Sequence, residues 1–144
     1  VRIAVPYGAK YEAKLEFVRK IISKLEKGEA CKLFTDQFTT PTFVDDIATG
    51  LMKIVDDPKQ GIYHLVGSSS QSIFDLGLQI AQIFGFDPNL IQPSSLAEYL
   101  ATPNARPYSM RSTLSNEKFI TDYGFTPHDL TSGLAEMKRQ LSTS

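Results

Sequence analysis

Cysteine is nearly missing from this chain: Cys31 is the only one in 144 residues, which excludes an intramolecular disulfide and a cysteine-clustered zinc site. A lone thiol fits a reducing compartment, so the expected location is the cytoplasm. Charge of either sign is not in surplus. Lysine plus arginine total 15 against 16 acidic residues, a formal net charge of -1, and nothing in that balance points to nucleic acid or an anionic membrane as a partner. No apolar run reaches the ~18 residues that a spanning helix needs, and no signal-peptide layout is present. The two histidines, His64 and His128, lie far apart without HExxH spacing, so no metal site is supported. GxSxG does not occur, which leaves a hydrolase triad without positive evidence. GxGxxG, GxxGxxG and the Walker pattern are missing too, so the chain by itself carries no dinucleotide fingerprint.

What is present suffices for one ordinary core: 42% of the residues are hydrophobic and 22% charged, on a chain too short for two full domains. The stretch from Thr39 to Gly67 organises the rest. Asp45 is placed to cap a helix, since a carboxylate accepts from the free first-turn amides and complements the positive end of the dipole. Ile47, Leu51, Ile54 and Val55 recur at helical spacing, and Asp57-Pro58 ends the run. GIYHLVG, apolar and bounded by glycines, reads as a buried strand. A helix feeding an interior strand is the grammar of an α/β sheet.

Upstream, VRIAVPYG reads as a parallel strand ending at Pro6, with Tyr7 and Gly8 turning out at the strand end where ligands gather in open α/β sheets. Val1 is not a methionine, and a buried-type strand from the first residue suggests a cut in a longer protein. Lys14 to Lys27 predicts an amphipathic helix with Leu15, Val18, Ile22 and Leu25 inward and Gly28 as its stop. Cys31 to Phe34 is a short strand. Downstream, Ser72 and Asp75 make a capping-box-like start to a helix burying Ile73, Leu76, Ile80, Ile83 and Phe84, ended by Gly85. Leu90 to Gln92 is a short strand, Ser95 and Glu98 open a brief helix, and Thr102 to Thr113 is a loop. Ser115 caps a short helix that Gly124 stops, and Thr126-Pro127 starts a final helix running to about Leu141.

Capping explains the adjacent carboxylates Asp45 and Asp46 more simply than a metal or acid-base pair does. His64 alternates with Ile62 and Val66 and reads as a satisfied interior histidine, and His128 as a surface residue in the first turn of the last helix. Arg106, in the Pro-flanked loop Pro103 to Pro107, is the most informative single charge, because a guanidinium fork holds a phosphate or carboxylate bidentately.

In this order, VRIAVPYG, KLEFVRKIISKLEKG, TTPTFVDDIATGLMKIV, GIYHLVG and ARPYSMRSTLSNEKFITDYGF resemble the C-terminal half of extended short-chain dehydrogenase/reductases, in particular the dTDP-4-dehydrorhamnose reductase branch. The resemblance implies an α/β fold: the C-terminal part of a Rossmann-like parallel sheet (about 1–30 and 45–70) interleaved with a small α/β substrate-binding lobe (about 31–44 and 71–144). It implies NADP or NAD in the full-length protein, with none expected for this chain alone, because both the glycine-rich loop and the YxxxK pair are missing. Tyr7 and Tyr11 are followed four positions on by Tyr11 and Leu15, so neither supplies the lysine. The implied function is the substrate-binding portion of a nucleotide-sugar reductase that transfers hydride to a C4 keto group. Nucleotide-sugar epimerase/dehydratase and a non-catalytic binding or regulatory subunit are the alternatives. The implied substrate-binding residues are Tyr7 and Gly8 at the strand end, Thr39 and Thr40 where many epimerases place an arginine, and Arg106 on the diphosphate. Val5 stands where the branch often has a tryptophan. Unpaired edges at Val1 to Val5 and Ile62 to Val66 lead to the expectation of self-association, or of a tightly bound remainder of the same protein.

Overall fold

In the computed structural model, which describes residues 1–9 and 15–143, strand β1 is only Pro6–Tyr7, because Val5 takes a positive φ of 38° and breaks the extended run before it. Helix α1 (Phe17–Glu26) follows, then β2 (Cys31–Phe34), β3 (Phe38–Thr39), β4 (Thr42–Phe43) and helix α2 (Val44–Asp56). The second half comprises β5 (Gln71–Ser72), α3 (Ile73–Phe84), β6 (Ile91–Ser94), α4 (Leu96–Leu100), β7 (Arg111–Ser112), α5 (Glu117–Tyr123) and α6 (Leu130–Ser142). Parallel pairing joins β1 to β4 and β2 to β6, and β3 sits between antiparallel β5 and parallel β7. The class is α/β, as expected.

The main core lies between the β2/β6 pair and helices α1, α3 and α6, around Val18, Leu25, Leu76, Ile80, Leu134 and Met137. Gly77 lets α3 lie directly on the strands: a Cβ there would come within 2.3 Å of Leu33 Cδ1. The capping box predicted at Ser72 is present, with Ser72 Oγ accepting from Asp75 N at 3.0 Å and donating to Asp75 Oδ2 at 2.6 Å. Gly85, at φ 81°, closes the same helix. A second core joins α2, the GIYHLVG segment and α5 through Ile47, Tyr63, Leu65 and Phe119.

Several local expectations are corrected. VRIAV and GIYHLVG are not continuous strands; they meet at one parallel bridge, Arg2 with His64, made by Arg2 N to Tyr63 O (2.8 Å) and Leu65 N to Arg2 O (2.9 Å). Val1, Ile3 and Ile62 are exposed, because no described element covers that side. Tyr63 and Leu65 face inward instead, and His64 is half-buried with Nδ1 3.2 Å from Ser115 O. Asp45 does not cap α2. Phe43 holds the N-cap position without a side-chain bond, and Asp45 accepts from Gln140 Nε2 at 2.7 Å. Leu51 and Val55 are exposed on the outer side of α2. Helix α1 starts at Phe17, capped by Glu16, while Lys14 and Tyr11 lie outside the described residues. The last helix starts at Leu130 behind Asp129, whose Oδ1 accepts from Ser132 N at 2.8 Å. Thr126-Pro127 precedes it because the neighbouring backbone is committed elsewhere: Ser68 Oγ donates to Pro127 O and His128 N to Asp46 Oδ2.

Candidate functional site

The end of β1 opens onto a cavity of ≈ 640 Å³, bordered by Val5 to Gly8, by the start of α1 from Leu15 to Phe17 with Lys20, and by Val44 and Asp45 at the start of α2. A strand end facing two helix N-termini is where parallel α/β folds place ligands. Gly8 permits this junction, since a Cβ there would stand 2.3 Å from Val44 Cγ1. The Tyr7 ring is a core side chain, 1% exposed, tilted against Phe43 at 5.7 Å. Its hydroxyl reaches α6, where a Cβ at Gly133 would be 2.0 Å away. Burial, followed by the charges of Asp46, Asp129 and Glu16, pushes the Tyr7 phenol well above the ordinary tyrosine value, so it stays protonated at neutral pH.

Glu16 closes the opposite rim. Its Oε2 and Oε1 accept from Val18 N (2.7 Å) and Arg19 N (2.9 Å), capping α1. Burial raises its carboxyl above the usual range, opposed by those amides and by the amide of Gly8. Both helix starts at the cavity therefore already carry an acid, Glu16 and Asp45. Lys20 sets a cation on the same border, and the rest of the lining is mostly apolar.

Thr39, Thr40 and Arg106 are not among the residues bordering this cavity. They belong to the β5-β3-β7 sheet and its loop. Thr40 is buried and committed internally: its Oγ1 is 2.8 Å from Ser70 Oγ and accepts from Leu114 N at 3.1 Å. Thr39 is buried with no partner for Oγ1, and the Nε2 of its cross-strand neighbour Gln71 is likewise buried and unpartnered. Arg106 is exposed, and its backbone N donates to Tyr99 Oη at 3.0 Å. Tyr99 packs between Phe34 (5.8 Å) and Tyr108 (6.1 Å), which holds the loop against β2. Phe38 N to Met110 O (2.8 Å) and Gln37 Nε2 to Ser109 O (3.3 Å) tie the same loop to β3.

Sequence reasoning missed two features. Asp46 is buried, accepting from both His128 N (2.7 Å) and His128 Nδ1 (2.9 Å), so it locks the start of α6 to α2 rather than capping a helix. Gln71 gave no signal beyond lying in a polar loop. Among the described residues no group of three or more His, Cys, Asp or Glu is placed to hold a metal, and no helix is long and apolar enough to cross a membrane.

The model of the RmlD substrate binding domain family matches residues 1–143. The chain belongs to that family. A probable low-salt glycan biosynthesis reductase, Agl14, of Haloferax volcanii is 30% identical over 144 residues, covering 99% of this chain and 47% of the relative. The crystal structure of a dTDP-4-dehydrorhamnose reductase from Bacillus anthracis in complex with NADP superposes with a TM-score of 0.83 at 22% identity, covering 96% of this chain and 47% of that one. A dTDP-4-dehydrorhamnose reductase ortholog from Clostridium acetobutylicum gives 0.81 at 25%, covering 98% and 48%. The chain spans about half the length of the relatives it matches.

Proposed function

We propose that this RmlD substrate binding domain holds the nucleotide-sugar of an NAD(P)-dependent reductase that delivers hydride to the C4 keto group of a dTDP-linked deoxysugar. The observation that carries the reading is the family match over residues 1–143, joined to a cavity at the end of β1. In this reading Arg106 holds the diphosphate, its exposed guanidinium being the fork that suits two phosphate oxygens. The strand end at Tyr7 and Gly8 adjoins the reacting sugar, Thr39 belongs to the sugar's polar surroundings, and Thr40 shapes the loops beside it. The cofactor half, with its glycine-rich loop, Tyr and Lys, belongs to the remainder of the full-length protein, and the compartment is the cytoplasm. Residues about 1–30 and 45–70 complete that half, while 31–44 and 71–144 form the substrate lobe. The exposed apolar residues Val1, Ile3, Ile62, Leu51, Met52 and Val55 are the surface such a remainder, or a second copy, would cover.

The test is calorimetric titration of the protein with dTDP. Binding is expected, and Arg106→Ala is expected to weaken it about tenfold or more, the size of a charge-assisted contact. Absence of dTDP binding, or an unchanged affinity in Arg106→Ala, would remove the proposed role.

A further inference from the structure

The β5-β3-β7 sheet places Gln71, Thr39 and Ser112 directly opposite one another, since Thr39 registers with Gln71 on one side and with Ser112 on the other. Cross-strand partners share a face. The preceding row, Ser72, Phe38 and Arg111, shares the other face, and the Arg111 guanidinium lies 5.4 Å from the Phe38 ring centre there. One face of this small sheet is therefore a band of three uncharged polar side chains, ending in an exposed serine.

Two members of the band are unsatisfied. Thr39 Oγ1 and Gln71 Nε2 are both buried without a hydrogen-bond partner, although Thr39 itself is only 3% exposed. Buried polar groups nearly always find partners, so two orphans on registered residues of one strand pair call for a cause. Neighbouring groups show that the region does not lack bonding capacity: Thr40 Oγ1, one residue on, sits between Ser70 Oγ and Leu114 N. Among the described residues the Tyr123 hydroxyl in the second core is also buried without a partner, but only in the band do two such groups occupy registered positions of paired strands. β7 continues from the loop that carries Arg106, and Met110 O accepts from Phe38 N, so the band and that arginine belong to one lobe.

We infer that the Gln71–Thr39–Ser112 band is the hydroxyl-reading floor of the sugar subsite, with the Gln71 amide and the Thr39 hydroxyl hydrogen-bonding to hydroxyl oxygens of a nucleotide-linked hexose. This rests on the reading of the chain as a nucleotide-sugar lobe, and it adds which residues recognise the sugar and by what chemistry. Gln71 is half-buried on the outer strand, so turning its flexible side chain presents its amide and opens the way to Thr39. A band without charge reads hydroxyls and leaves the diphosphate to the arginine. Ligand binding satisfies donors that the free protein leaves unpaired, so the gain falls on the sugar alone.

The experiment is titration of the protein at its natural length with dTDP and with dTDP-glucose, in wild type, Gln71→Met, Thr39→Val and Thr39→Ser, alongside ligand-free melting temperatures. The wild type is expected to bind dTDP-glucose more tightly than dTDP. Gln71→Met and Thr39→Val are each expected to cut that surplus about three- to tenfold while leaving dTDP affinity unchanged, and Thr39→Ser to retain it. Because the replaced groups have no partner in the free protein, the melting temperatures of Gln71→Met and Thr39→Val should hold or rise. A surplus that survives both substitutions, or a wild type without a surplus, overturns the inference. So does a drop in melting temperature with parallel loss of both ligands, which marks a structural role. Absence of dTDP binding in the wild type overturns the nucleotide-sugar reading itself and this inference with it.

Discussion

Gly67→Ala is a substitution whose cost the backbone geometry forces. A Cβ at 67 would lie 2.1 Å from the carbonyl oxygen of Pro41 and 3.2 Å from that of His128, both backbone atoms that cannot rotate away. Pro41 leads into β4, and His128 O accepts from Ser68 N, so relief requires shifting either the β4 lead-in or the 66–68 segment by about 1 Å. The second shift also strains the bonds that Asn116 Nδ2 donates to Val66 O (3.1 Å) and Gly67 O (3.3 Å). Overpacking of this kind costs about 2 kcal/mol, and weakening those bonds adds about 1 kcal/mol. At about 3 °C per kcal/mol for a chain of this size, the melting temperature should fall by about 9 °C. The control is Gly28→Ala, where φ is +71° but nothing lies within 4 Å, so only the backbone cost of about 1 kcal/mol applies, a fall of about 3 °C. Thermal melts followed by circular dichroism read both. If Gly67→Ala melts at or above Gly28→Ala, the close approach of the 66–68 segment to Pro41 is wrong.

Asp46→Ala removes a buried acceptor of two bonds from His128 and should cost about 2–3 kcal/mol in a urea melt; a cost below about 0.5 kcal/mol would show that the α2–α6 lock carries no weight. Asp36 accepts from Leu96 N, Ala97 N and Ser95 Oγ, and these bonds hold its carboxyl below its ordinary 3.8. A depressed carboxylate contributes fully above its unfolded value and loses that contribution as pH falls through the folded one. Melting temperature should therefore drop on acidification below about pH 4, less steeply in Asp36→Asn; identical acid slopes would exclude the tether. Light scattering of the 144-residue chain should report self-association through Leu51, Met52, Val55 and the Val1–Ile3 side, and a monodisperse folded monomer would refute it.

Elements whose signals are local were readable from sequence. The Ser72–Asp75 box, the Ser95 cap and the Gly85 and Gly124 stops depend on residues within one helical turn, and they stand where the pattern puts them. Asp45, Thr126-Pro127 and the VRIAV run were misread for one common reason, tertiary partners. Gln140 takes Asp45, Ser68 takes Pro127 O, and Val5 turns to bring Pro6–Tyr7 beside Thr42–Phe43. At the candidate site, the strand-end rule leads to the cavity at Tyr7 and Gly8. Nothing in a sequence announces an unpaired side chain, so the Gln71–Thr39 pair emerges only from the register of β3 and β5.

The most direct test of the account is NADPH oxidation by the protein isolated at its natural length, with a dTDP-4-keto-6-deoxyhexose as substrate, for wild type and Arg106→Ala. The account predicts substrate-dependent oxidation in the wild type and a KM raised about tenfold or more in Arg106→Ala, as expected for loss of a contact to the diphosphate. A natural-length protein that binds dTDP but oxidises no NADPH would contradict the reductase and leave a binding subunit.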